Sequence, residues 1–180
     1  MVDHLNSKGN FPEDVVRFWM AELSSGLVYL HSKGIMHRYA PQNFLCLQRL
    51  MYISDIKPDN ILLDAKGHAA LTDLNIAMHY SRHRLHTSVA GSMAYMAPEM
   101  VDLQRPGYSW QVDWWSLGVC AYEVLWHRRP FEGNSADKMR DSIMTHPIRK
   151  PSQRHGPVSS ECVSALFGVS SDESLTRAPY

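Results

Sequence analysis

The sequence has no surplus of either charge: 18 Lys and Arg stand against 18 Asp and Glu, a formal net charge of zero with histidine neutral. Nucleic acids and acidic membrane surfaces are bound through a positive excess, so neither is an expected partner. Cysteine is scarce as well. Cys46, Cys120 and Cys162 are odd in number and in no metal-ligand spacing, which argues against a disulfide framework and reads as reduced thiols of a cytosolic or nuclear protein. No uncharged run reaches the roughly 18 residues of a membrane span. Met1-Val2-Asp3-His4 offers neither the basic nor the apolar region of a signal peptide. Internal repeats are absent. What is present is ordinary for a packed fold: 44% apolar and 10% aromatic residues in a chain of 180, enough for one domain with one sizeable core.

Hydrophobic spacing then orders the chain. Val16, Trp19, Leu23, Leu27 and Leu30 recur at steps of three or four, behind Asn10 as N-cap, Pro12 and the acidic Glu13 and Asp14. This predicts an amphipathic helix over 12–32, closed by Lys33-Gly34. Ile61-Leu62-Leu63 and Ala69-Ala70-Leu71-Thr72 flank the polar, glycine-bearing turn Asp64 to His68, a hairpin signal. Residues 78–92 are polar, histidine-rich and aperiodic, hence loop. The stretch 110–126, with Ser109 as its cap, is apolar on nearly every face (Val112, Trp114, Trp115, Leu117, Val119, Ala121, Val124, Leu125) and belongs inside a core. Weaker helices are expected at 136–145 and 159–167, and 169–180 reads as a frayed tail.

Chemistry concentrates at Asp55-x-Lys57-Pro58-x-Asn60 and at Asp73, thirteen positions after Asn60. Phosphoryl transfer asks little of a protein: a carboxylate for the attacking hydroxyl, a cation on the moving phosphate, and oxygen ligands for magnesium. A hairpin between Asn60 and Asp73 would fold those two oxygen donors back to one place, beside Asp55 and Lys57. Taken alone, Asp-x-Lys-Pro-x-Asn also reads as a polar turn, because Asp, Pro and Asn are turn formers. His79, His83 and His86 have metal-like spacing but no cysteine or carboxylate partners, and read as a solvated loop. Trp114 and Trp115 read as core rather than as a stacking platform.

Order along the chain decides between these. His37-Arg38, Asp55-Ile56-Lys57-Pro58-Asp59-Asn60, Asp73-Leu74-Asn75, Ala97-Pro98-Glu99 and Asp113-Trp114-Trp115-Ser116-Leu117-Gly118 follow one another. That series resembles the catalytic loop, Asp-Phe-Gly, Ala-Pro-Glu and buried-helix motifs of the eukaryotic protein kinases. Lys57, two residues after the aspartate, is similar to serine/threonine rather than tyrosine kinases. Asn75 in place of glycine resembles the YANK subgroup of the AGC-related kinases. The resemblance implies a mainly α fold: a protein-kinase-like C-terminal lobe with a small β-hairpin over 1–168, the N-terminal lobe missing, and a divergent tail at 169–180.

It also implies roles. Asp55 would be the catalytic base, Lys57 would contact the γ-phosphate of ATP, and Asn60 and Asp73 would hold Mg²⁺. Ser92 would pack against the catalytic loop and Asp113 would brace its backbone, which accounts for a charge in so apolar a helix. Protein serine and threonine hydroxyls would be the substrates. Thr87 and Ser88 fall where an upstream kinase would phosphorylate an AGC-type enzyme, the phosphate pairing with Arg38; the plainer reading is two loop hydroxyls.

Three departures qualify the likeness. No Gly-x-Gly-x-x-Gly loop or strand-borne lysine stands in these 180 residues, so ATP would find half a pocket. Tyr39 to Ser54, sixteen residues, separate Arg38 from Asp55; removing them restores His-Arg-Asp-Ile-Lys-Pro-Asp-Asn, and the stretch reads as an atypical insertion, a translated intron. No arginine lies near Ser170 to pair with Glu99. The chain alone is therefore expected to be inactive, and the alternative is a catalytically dead kinase-like lobe that acts as an interaction module.

Overall fold

A computed structural model describes residues 1, 11–32, 56–72, 93–102, 104, 111–149 and 158–171. In order these form helix α1 (Glu13–Ser32), a single 3₁₀ turn (Pro58–Asn60), strands β1 (Ile61–Leu63) and β2 (Ala69–Leu71), and helices α2 (Pro98–Val101), α3 (Gln111–Trp126), α4 (Ala136–Thr145) and α5 (Ser160–Ser171). The architecture is mostly helical with one small antiparallel sheet, as the motifs implied. Among the described residues no helix is long and apolar enough to cross a membrane.

Helix α1 starts where Pro12 offers its carbonyl to the amides of Val15 and Val16, at 3.1 and 3.2 Å. Glu13 and Asp14 occupy the positive end of its dipole and His31 the last turn. The five apolar residues spaced in the sequence, Val16, Trp19, Leu23, Leu27 and Leu30, are the five this helix buries. The capping expected of Asn10 and Gly34 lies outside the described residues.

Helix α3 differs in kind. It buries eleven of its sixteen residues, including Asp113 and Ser116, so it passes through the core rather than resting on it. Trp114 and Trp115 pack against that core, Trp115 stacking on the buried Phe131 with ring centres 5.8 Å apart. Helix α4 is capped by Ser135, whose hydroxyl accepts the Lys138 amide. Helix α5 runs on to Ser171, beyond the end expected at 167 and into the stretch read as tail. Its sequence has no helix breaker there, and Gly168 alone does not stop it. Its N-terminus is fixed by Ser159, whose hydroxyl accepts the Cys162 amide and donates to Glu13 of α1.

The hairpin pairs Ile61 with Leu71, Leu62 with Ala70 and Leu63 with Ala69. Asp64 builds its turn: the side chain accepts the amides of Lys66 and His68 at 2.8 and 2.9 Å, and Gly67 takes φ = 88°, a conformation suited to glycine. The readings of 39–54, of 78–92 with its three histidines, and of Ser109 fall outside the described residues.

Candidate active site

The segment that carries Lys57 is pinned on both sides of the functional residues. Ile56, Pro58 and Ile61 are buried, whereas Asp59 is exposed and Lys57 and Asn60 are half-buried. Pro58 forces the preceding residue out of the helical region, and Lys57 is accordingly extended (φ −153°, ψ 160°). The chain then closes one 3₁₀ turn: the Asn60 amide donates to the Lys57 carbonyl at 2.9 Å and the Ile61 amide to Pro58. Lys57 and Asn60 thus bracket a single tight turn, with the buried apolar residues on either side fixing it to the core.

The hairpin extends this arrangement by one pair. The Thr72 amide donates to the Asn60 carbonyl at 2.9 Å, one step past the Ile61–Leu71 pair. The residue that precedes Asp73 therefore lies against Asn60. Asp55 and Asp73 themselves lie outside the described residues, as do His37, Arg38, Thr87, Ser88 and Ser92.

Helix α3 supports the turn from beneath. Asp113, Ser116 and Cys120 rise along it at steps of three and four, on one face. The Cys120 thiol donates to the Ile56 carbonyl at 3.7 Å, immediately before Lys57. The Ser116 hydroxyl lies 2.8 Å from the Tyr95 carbonyl and 3.0 Å from that of Val112, and so ties the segment leading into Ala97-Pro98-Glu99 to the same helix. Asp113, 1% exposed, meets a partner that its motif did not announce: the Nε2 of His31, in the last turn of α1, at 2.7 Å. An ionised carboxylate only accepts, so the imidazole supplies the N–H of this bond.

Four further hydrogen bonds, in two places, complete the surroundings. The Tyr95 hydroxyl bonds to a Glu123 carboxylate oxygen, and burial pushes the phenol pKa up, with Glu123 adding to the shift. On the far side, Trp19 and Glu22 of α1 grip the hairpin turn. The indole N–H donates to the Gly67 carbonyl at 2.8 Å; Glu22 Oε1 accepts from His68 Nδ1 at 2.6 Å and Oε2 from the Ala69 amide at 2.8 Å. These bonds hold the Glu22 carboxyl below the usual range, the Ala69 amide contributing most and His68 next, and Glu22 raises the His68 imidazole. Among the described residues Glu99 makes no ion pair. Sequence reasoning missed His31, Ser116, Cys120, Glu22 and His68. The one signal available was the charge of Asp113 in an apolar helix, which demands a partner without naming it.

Oxygen donors of the Asn60 and Asp73 type suit a hard divalent cation such as Mg²⁺, and Lys57 suits a phosphate. Comparison with known proteins agrees with that chemistry. The protein kinase domain family matches residues 1–177. Serine/threonine-protein kinase 32C of Mus musculus is 41% identical over 143 residues, 78% of this chain and 26% of that protein. Serine/threonine-protein kinase 32B of Homo sapiens is 42% identical over 150 residues, 82% and 32% respectively. Serine/threonine-protein kinase Sgk1 of Homo sapiens is 37% identical over 147 residues, 81% and 30%. The chain spans less than a third of the length of each of these relatives. With the family matched over nearly its whole length, the chain belongs to the protein kinases, and serine/threonine kinases of the YANK and AGC-related groups are among its relatives.

Proposed function

We propose that the protein carrying this chain transfers the γ-phosphate of ATP to serine and threonine hydroxyls of protein substrates. Asp55 takes the proton of the attacking hydroxyl as the new oxygen–phosphorus bond forms and the bond to the leaving ADP oxygen breaks. Lys57 offsets the charge of the moving phosphate. Asn60 and Asp73 would hold Mg²⁺, which when bound neutralises phosphate oxygens. The observation that carries the reading is the bond from the Thr72 amide to the Asn60 carbonyl, which sets the residue before Asp73 beside the other proposed metal ligand. Thr87 or Ser88 would accept an activating phosphate from an upstream kinase and pair it with Arg38.

A second reading, a kinase-like lobe that binds partners without transferring phosphate, is favoured by the sixteen residues between Arg38 and Asp55. One assay separates the two. The full-length native protein is incubated with γ-labelled ATP, Mg²⁺ and serine/threonine or tyrosine peptides, beside its Asp55→Ala variant. Label on serine or threonine that Asp55→Ala removes supports the kinase; no label, or label unaffected by the variant, supports the interaction module. A polypeptide of these 180 residues alone is expected to transfer none, since it carries no glycine loop for the phosphates.

A further inference from the structure

The hairpin that joins Asn60 to Thr72 is too small to hold its own position. Each strand has three residues, and an isolated two-stranded hairpin is marginal in water. Ile61 anchors one side of it in the core. The opposite end, the turn, is held by α1 through Trp19 and Glu22, which stand one helical turn apart and take three consecutive residues: the Gly67 carbonyl, the His68 ring and the Ala69 amide. Both oxygens of Glu22 are used. The register then transmits that position across β2, since Leu71 pairs with Ile61 and the Thr72 amide meets the Asn60 carbonyl.

We propose that Glu22, acting through His68 and the Ala69 amide, is a positioning residue for the metal-holding turn that ends at Asn60. The proposal rests on the reading of Asn60 as a magnesium ligand. Helix α1 supplies its own control. Glu13, nine residues earlier, also uses both carboxylate oxygens, on the Ser159 amide and hydroxyl at 2.6 Å each, but it clamps α5 rather than the hairpin. A role confined to stability would make the two carboxylates equivalent. A positioning role makes them differ at the metal.

The test is Mn²⁺ binding in the presence of ATP, followed by electron paramagnetic resonance on the full-length native protein and four variants, with melting temperatures alongside. Glu22→Ala is expected to weaken Mn²⁺ binding about tenfold, the cost of losing a support behind a metal ligand. Glu13→Ala is expected to lower the melting temperature while leaving Mn²⁺ affinity as in the wild type. Glu22→Gln, a variant that keeps the acceptor for Ala69, is expected to bind Mn²⁺ normally at pH 8 and poorly at pH 6. At pH 6 a protonated His68 would present an N–H to the glutamine NH₂; the other charge acting on that ring is Asp64 of its own turn. If Asn60→Ala weakens Mn²⁺ binding while both Glu22 variants bind as the wild type does, the positioning role is wrong and the magnesium reading stands. Equal loss in Glu13→Ala also overturns it, as a general loosening of α1. Unchanged binding in Asn60→Ala removes the reading beneath it, and the proposal with it.

Discussion

Helices α1 and α3 are the two long helices among the described residues, and they are attached to the rest of the fold by opposite means. Helix α1 buries one stripe of five apolar residues and makes its carboxylate attachments at the edges, through Glu13 and Glu22, which water reaches; Trp19 and His31 add bonds from its more buried side. Helix α3 is buried on almost every side, and its polar attachments, Asp113, Ser116 and Cys120, are inside. The consequence is a division of labour. Interior polar groups have no water to fall back on, so each must be matched, and each fixes the segment it meets. The segments met by α3 are the last turn of α1, the Tyr95 region and Ile56, the last of which immediately precedes Lys57. The edge attachments of α1 are weaker and replaceable: Glu22 adjusts the hairpin and Glu13 the start of α5, and neither holds the core.

The comparison breaks most visibly at Asp113. Asp113→Ala removes a buried hydrogen-bond acceptor from His31 and is expected to cost about 1–3 kcal/mol, the range for deleting one partner of a buried hydrogen bond. Chemical denaturation measures it; a loss below about 1 kcal/mol would place Asp113 with the edge contacts and erase the contrast between the helices.

A smaller effect separates the two carboxylates of α1 by pH. Glu22 has its folded pKa lowered from an ordinary 4.5, so its contribution is present above that value and fades as pH falls through the lowered one. His68 has its folded pKa raised from 6.5, so its contribution is present below 6.5 and fades as pH rises through the raised one. Both act in full between about 4.5 and 6.5. Glu13 is lowered chiefly by the Ser159 hydroxyl and amide, with no histidine partner in that bond, so its contribution is present in full above about 4.5 and stays as pH rises further. Melting temperatures of Glu22→Ala and Glu13→Ala against the wild type should therefore show a deficit that shrinks on the alkaline side for Glu22 alone. Parallel profiles would mean that the imidazole adds nothing to the clamp.

Local rules carried the sequence reading a long way. The stripe of α1, the hairpin around Gly67 and the all-round apolarity of α3 follow from spacing and turn chemistry, and each stands where those rules put it. The tight turn bracketed by Lys57 and Asn60 was legible as well, because Asp, Pro and Asn are turn formers and the turn occupies four consecutive residues. The contacts that give the site its setting were not. His31 and Asp113 are 82 residues apart, Glu13 and Ser159 are 146, and Glu22 and His68 are 46; no periodicity links partners that meet only after the helices pack. The single turn of α2 was equally invisible, since four residues cannot display a helical repeat. The last turn of α5 was missed because its serines and glycine weaken the pattern without ending the helix.

The claim on which these inferences lean is that the buried polar face of α3 holds the Ile56–Ile61 turn and the Tyr95 segment in place. Amide hydrogen exchange tests it directly in the full-length protein, comparing wild type with a Ser116→Ala/Cys120→Ala variant that removes the side-chain bonds to the Tyr95 and Ile56 carbonyls, along with the local one from Ser116 to Val112 within α3. The amides to follow are Asn60, Ile61 and Met96, bonded to Lys57, Pro58 and Met93. The account predicts faster exchange at those three amides, with α1 and the hairpin amides beyond Ile61 unchanged. Protection retained at all three would contradict it, and would leave the candidate site held by apolar packing alone.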